Sequence, residues 1–139
     1  MARALAYFLA VASCLLLANC SDRGESIVKV PPIPSSSDGV SFANDIQPIF
    51  TARCAVSGCH VAPTPQAGLV LTAGSSYANL VNIPTQIFTP GVRITPNDTG
   101  ASVLYLLVLG GTMPATGVPL TTAQIDAIRE WIESGAPNN

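Results

Sequence analysis

The run Cys54-Ala55-Val56-Ser57-Gly58-Cys59-His60 sets two thiols with four residues between them and places an imidazole directly after the second. The nearest chemistry is that of a Cys-x-x-Cys-His run, in which two thiols bond the vinyl groups of a porphyrin and the adjacent imidazole ligates its iron. Two extra residues between the sulfurs make the backbone bulge, and Gly58 supplies freedom for that bulge. Two other chemistries stay open on the same residues. An unused thiol pair in an oxidising compartment closes a short Cys54–Cys59 disulfide loop. Cys54, Cys59 and His60 are also metal-ligand types, but a structural zinc wants a fourth protein ligand and none stands nearby in sequence. Thiol catalysis is disfavoured, because Cys59 and His60 are neighbours along the backbone and such neighbours rarely reach base-to-nucleophile geometry.

His60 is the single histidine of the chain, and Met113 is the single methionine after Met1. A thioether sulfur on a haem iron favours the reduced state, which makes Met113 the candidate second ligand by elimination. It stands in Gly110-Gly111-Thr112-Met113-Pro114, a glycine pair followed by a proline-restricted backbone. The competing role is a core methionine filling a gap. A methionine in a polar loop between two helices has no helical face to fill, so the ligand role is the expectation.

Three well-defined helices and one short one must position these residues. Residues 44–53 carry Ile46, Ile49 and Phe50 at helical spacing, with Asn44 or Asp45 as the expected cap and Pro48 tolerable in the first turn. A short helix is expected from Ser75 or Ser76 to Val81. The next follows residues 95–99 and carries Val103, Leu104, Leu107 and Val108 before Gly110-Gly111 ends it. The last is capped by Thr121 or Thr122, with capping-box spacing to Gln124, and Ile125, Ile128, Trp131 and Ile132 form its apolar stripe. Residues 61–74 and 83–98 are Pro- and Gly-rich loops without strand alternation. The expected class is therefore mainly α with long loops, and loops of this length in a small domain usually wrap something.

The amino terminus reads as an export signal. Arg3 precedes an apolar stretch over residues 4–17 that is too short to span a bilayer, and Leu17-Ala18-Asn19-Cys20 resembles a bacterial lipobox. The expected organisation is a lipoprotein-type signal over residues 1–19, a Pro/Ser-rich tether over 20–40 and a folded domain over 41–139. Acylation of Cys20 and loss of Cys14 with the signal leave Cys54 and Cys59 as the thiols of the domain. The lipid anchors the domain to a bacterial membrane, on the periplasmic or cell-surface side. Six basic residues stand against eight acidic ones, with no Lys/Arg cluster, so nucleic-acid binding has no electrostatic basis.

The domain resembles the small class I c-type cytochromes, particularly a bacterial group of exported single-haem domains. The resemblance rests on Ile46-Gln47-Pro48-Ile49-Phe50, the cysteine run, Gly68-Leu69-Val70-Leu71, Ser102-Val103-Leu104-Tyr105, Thr112-Met113-Pro114 and Trp131-Ile132-Glu133-Ser134-Gly135-Ala136, in that order. It covers residues 42–137 and differs from the family pattern in the wider cysteine spacing. It implies a cytochrome c-like fold of three to five helices around one covalent haem c, with the first and last helices crossing beside it. Cys54 and Cys59 would carry the thioethers, His60 would be the proximal iron ligand and Met113 the distal one. Candidate walls are Ile49, Phe50, Leu69, Leu71, Leu104, Leu107, Ile128 and Trp131, and Arg93 or Tyr105 would meet a propionate. The implied role is single-electron transfer between transient redox partner proteins, as a carrier and not an enzyme. The alternative is a haem-free binding module of the same fold, held by a Cys54–Cys59 disulfide.

Overall fold

Ser41 starts the first helical segment in the computed structural model, which describes residues 39–139. The signal, the Cys20 acylation site and all but the last two residues of the tether lie outside the described residues. A π-helical turn, Phe42–Ile46, runs without a break into α1, Gln47–Arg53, with Pro48 in the first turn of α1 as expected. The cap is Ser41 and not Asn44 or Asp45. Its hydroxyl accepts the Asn44 amide at 3.2 Å, while the Asp45 carboxylate accepts the Ser41 amide at 2.8 Å. The helix begins earlier than its apolar spacing implies because the wide first turn also uses the Ser41 carbonyl for the Ile46 amide.

Three more helices follow: α2, Ser76–Leu80; α3, Val103–Leu109; and α4, Thr122–Glu133. A short 3-10 turn spans Gln66–Gly68. Among the described residues there is no β-strand, only isolated bridges such as Val81 with Ile94 and Val92 with Ser102. The domain is mainly α with long loops. Helices α3 and α4 end in the same device, in which the two amides beyond the helix bond back to its last carbonyls through a glycine of positive φ. In α3 the Gly111 amide reaches Val108 and the Thr112 amide reaches Leu107. In α4 the Gly135 amide reaches Ile132 and the Ala136 amide reaches Trp131. Thr121 and Gln124 form a full capping box at the start of α4, as their spacing predicts.

The core gathers where the π turn packs on α4. Phe42 stands with its ring centre 5.2 Å from that of Trp131 and 5.2 Å from that of Tyr77, the latter edge-on. Ile46, Phe50, Ile128, Trp131 and Ile132 are fully buried around them. The polar tips of the two amphipathic rings find carbonyls: Trp131 Nε1 donates to Pro137 and the Tyr77 hydroxyl to Ala136, each at 2.9 Å. Asn139 closes the arrangement by accepting the Phe42 and Ala43 amides, so the two ends of the folded domain hold each other. No helix among the described residues is long and apolar enough to cross a membrane.

Replacing Trp131 with Ala removes the largest buried side chain and strands the Pro137 carbonyl. The expected loss is about 3–5 kcal/mol, read as a lowered midpoint of urea unfolding with little change in slope.

Candidate functional site

Arg53 is the last residue of α1, and the chain leaves the helix at Cys54. The Phe50 carbonyl accepts both the Cys54 amide at 2.9 Å and the Ala55 amide at 2.8 Å, which fixes the direction in which the first thiol departs. The run from Cys54 to His60 then closes on itself. The Cys59 amide donates to Val56, and the His60 amide donates back to the Cys54 carbonyl at 3.2 Å. Gly58 supplies the turn with φ +78°, a value that few other residues adopt without strain. The four intervening residues thus form a compact loop, which returns the chain beside its starting point. Both cysteines are free thiols and both are half-buried.

His60 is held from the far side by the segment that follows the 3-10 turn. Its Nδ1 stands 3.3 Å from the Leu69 carbonyl, and its own carbonyl accepts the Leu71 amide at 2.9 Å. A carbonyl can only accept, so this contact puts the proton on Nδ1 and leaves the lone pair on Nε2. That is the arrangement by which a backbone carbonyl orients a metal-binding imidazole. Gln47 of α1 anchors the same segment: its amide donates to the Leu71 carbonyl and to Thr51, and its oxygen accepts the buried Ser76 hydroxyl of α2.

Met113 follows the capped end of α3. Its amide donates to the Leu107 carbonyl at 3.1 Å, alongside that of Thr112, so the glycine pair is an ordered helix terminus and not a slack hinge. Arg53 reaches across from α1 and donates to the carbonyls of Val118 at 2.7 Å and Pro119 at 3.2 Å. This clasp ties the loop after Met113 to the helix that launches Cys54.

Two open grooves meet at these residues. The first, about 580 Å³ with its mouth included, has almost wholly apolar walls from Leu69, Ile87, Phe88, Val103, Leu104 and Leu107. The second, about 490 Å³ by the same measure, is lined by Arg53, Cys54, Cys59, Leu71 and Pro114, among others. His60 and Met113 line both. The structure therefore brings Cys54, Cys59, His60 and Met113 to one place. No group of three or more Cys, His, Asp or Glu side chains converges among the described residues.

Of the eight candidate walls, Leu69, Leu71, Leu104 and Leu107 face a groove. Ile49, Phe50, Ile128 and Trp131 belong to the core and line neither groove. Tyr105 is likewise buried in the core, outside both linings. Arg93 does face the first groove, and it is only 7% exposed. Its guanidinium donates to the carbonyls of Asn79 at 2.7 Å, Ala67 at 3.0 Å and Gly68 at 3.3 Å, and no carboxylate pairs with it among the described residues. Burial lowers its pKa from the ordinary value, yet arginine stays charged. A buried cation satisfied by neutral oxygens alone leaves a positive potential at the groove wall.

Sequence reasoning did not single out Gln47 as an anchor, Arg53 as a clasp, or Ile87 and Phe88 as groove lining. For the last pair a signal exists, since two large apolar residues between Pro84 and Pro90 have no helix or strand to bury them. No family model matches the chain, and no curated protein or solved structure does so either.

Burial pushes the Cys54 thiol from 9.0 up to about 11; the neighbouring Arg53 charge opposes this and Cys59 adds to it. The folded protein therefore keeps this proton to higher pH than the unfolded chain, and its contribution to stability is lost as pH rises from about 9 toward 11. In the reduced, haem-free chain, iodoacetamide should modify Cys54 slowly at pH 8 and much faster as the pH approaches 11, read by peptide mass mapping. Equal rates for Cys54 in folded and urea-unfolded protein at pH 8 would contradict a buried thiol.

Proposed function

We propose that this domain is a cytochrome c-like electron carrier, holding one covalent haem c through Cys54 and Cys59 with His60 and Met113 as axial ligands. One observation carries the reading: Met113, distant in sequence from the run that holds Cys54, Cys59 and His60, lines the same groove as all three, with apolar walls beside them. The residues fit such a group. Two unpaired thiols stand at either end of a closed loop, His60 presents the lone pair of Nε2, and Met113 follows a fixed helix end.

When bound, haem iron cycles between two oxidation states and so supplies one-electron transfer. The chain's own residues supply the rest. The Leu69 carbonyl keeps the His60 proton on Nδ1, which makes the imidazole a neutral ligand of defined orientation. A Met113 thioether on the iron would favour the reduced state, and with His60 and Met113 both as ligands the iron would have no position for substrate. Leu69, Leu104 and Leu107 would shield a bound group from water on that side, which would raise its potential. Arg93 offers its uncompensated charge to an anionic edge of the group, the role expected of it from the resemblance.

On this reading the protein is not an enzyme, and its partners are redox proteins that meet it transiently. A Cys20 lipid would tether it to a bacterial membrane on the periplasmic or cell-surface side. The wider cysteine spacing is accommodated by the His60-to-Cys54 closure, which brings the ends of the run together despite two added residues.

Expression with a c-type maturation system should give a coloured protein whose intact mass carries one haem. Its reduced spectrum should change on Met113→Ala. A colourless protein that gains about two hydrogens on reduction would instead establish the disulfide-held, haem-free form. An unchanged spectrum in the Met113 variant would remove that residue from the ligand set.

A further inference from the structure

The residues that line the second groove are secured to very different degrees on its two sides. His60 is fixed through its ring on the Leu69 carbonyl, through its own carbonyl on the Leu71 amide, and through its own amide on the Cys54 carbonyl. Gln47 then holds the Leu71 carbonyl from behind. Met113 has its amide on the Leu107 carbonyl, at the end of α3. Past that bond the chain runs through residues 114–120 before Thr121 caps α4.

That stretch has little else to hold it. Pro114 and Leu120 are buried at its ends, and residues 115–119 between them are all exposed. Within the described residues no amide or hydroxyl of 114–120 donates a hydrogen bond, and its carbonyls accept from one side chain only. That side chain is Arg53, whose Nη2 donates to Val118 at 2.7 Å and to Pro119 at 3.2 Å. Arg53 lines the groove together with Met113, Pro114, Ala115 and Thr116. It is also the last residue of α1, whose Ile49 and Phe50 are in the core, and the immediate neighbour of Cys54. One side chain therefore connects the packed helix that launches the first thiol to the loosely held stretch that follows the thioether.

We propose that Arg53 is the positioning residue for Met113: its clasp on residues 118 and 119 holds the thioether at the groove and sets how readily another ligand takes its place. The clasp itself is independent of any bound group, whereas the competition between ligands rests on the haem reading. Without the two hydrogen bonds, the stretch is fixed only at Pro114 and Leu120. Its backbone then gains conformational freedom that is lost again whenever Met113 is held in place. The His60 side keeps all its bonds, so exchange occurs on the Met113 side alone. A rival role for Arg53 is that of a plain positive charge, since no carboxylate pairs with it among the described residues. The two roles separate cleanly against a neutral competitor, which feels hydrogen bonding to the loop but little of the charge. Both hydrogen bonds leave one nitrogen, so a lysine ammonium has the donors to replace them.

The clasp is tested first without haem. In the reduced, haem-free chain, the methyl resonance of labelled Met113, identified by its loss in Met113→Leu, should shift and narrow in Arg53→Leu as the side chain gains freedom. In the coloured, oxidised protein at about pH 8, where imidazole is mostly neutral, imidazole should displace Met113 with about tenfold higher affinity in Arg53→Leu than in the parent. The visible spectrum reads the exchange. Arg53→Lys should restore most of the parent's resistance, and Arg129→Leu, which removes the same charge from α4, should bind imidazole like the parent. If Arg53→Leu does not load haem, Arg53→Gln removes the charge and shortens the reach, and the same rise is expected of it. Three outcomes overturn the proposal: an unmoved Met113 resonance, parent-like imidazole affinity in the Arg53 variants, or an equal rise in Arg129→Leu. A colourless parent, or a coloured one whose spectrum ignores Met113→Ala, sinks the ligand reading instead, and the methyl resonance still decides the clasp.

Discussion

The grip of residues 69–71 on His60 is the constraint on which the rest of the site depends. One carbonyl, that of Leu69, takes the imidazole, and one amide, that of Leu71, takes the His60 carbonyl. The grip is rigid because Gln47 of α1 holds the Leu71 carbonyl from behind and also accepts the Ser76 hydroxyl. A buried amide side chain of this kind is costly when half-satisfied and specifying when fully satisfied. Here it joins α1, the segment after the 3-10 turn and α2 at one point. His60 is therefore positioned by helices to which it does not belong, and the loop from Cys54 is free to be wider than usual as long as its ends meet.

The rest of the domain divides into a closed end and an open one. At the closed end the rings of Phe42, Tyr77 and Trp131 pack together, and the polar tips of Tyr77 and Trp131 are bonded to the carbonyls of Ala136 and Pro137. At the open end the walls are apolar, and what order the loops have comes from hydrogen bonds. Arg93 supplies much of it, since its guanidinium links residues 67 and 68 to residue 79 while its backbone pairs with Ile83 and Leu104. One buried cation thus cross-links the 3-10 turn, α2, the loop at Ile83 and the start of α3. Hydrogen bonds to a charged donor are worth about 1.5–3 kcal/mol each, which offsets part of the cost of taking the guanidinium out of water, and burial still lowers its pKa.

Charge follows the same division. Carboxylates gather on the π turn and α4, whose outer faces need solvation because their inner faces are wholly buried. The loops around the grooves carry almost no exposed charge, and the buried Arg93 is the cation at the wall of the first groove. Affinity there comes from burial of apolar surface, which acts only at contact, with Arg93 adding attraction for an anionic group.

The helices were legible in the sequence because their signals are local. The capping box at Thr121 and Gln124, the stripe from Ile125 to Ile132 and the glycines that end α3 and α4 all act within a few residues. The chemistry of the candidate site was also legible, as residue types: two thiols, one imidazole and one thioether, each scarce enough to be singled out. The first cap was misread because Ser41 works through a wide π turn that a 3.6-residue period does not reveal. The sequence by itself therefore determined the helical class and the chemical inventory. Only the tertiary structure decided that His60 and Met113 line the same grooves, that Ile49, Phe50, Ile128 and Trp131 are core and not wall, and that Arg93 is buried beside a groove. Those outcomes rest on contacts between residues tens of positions apart, and no local pattern encodes which loop carbonyl will meet which side chain.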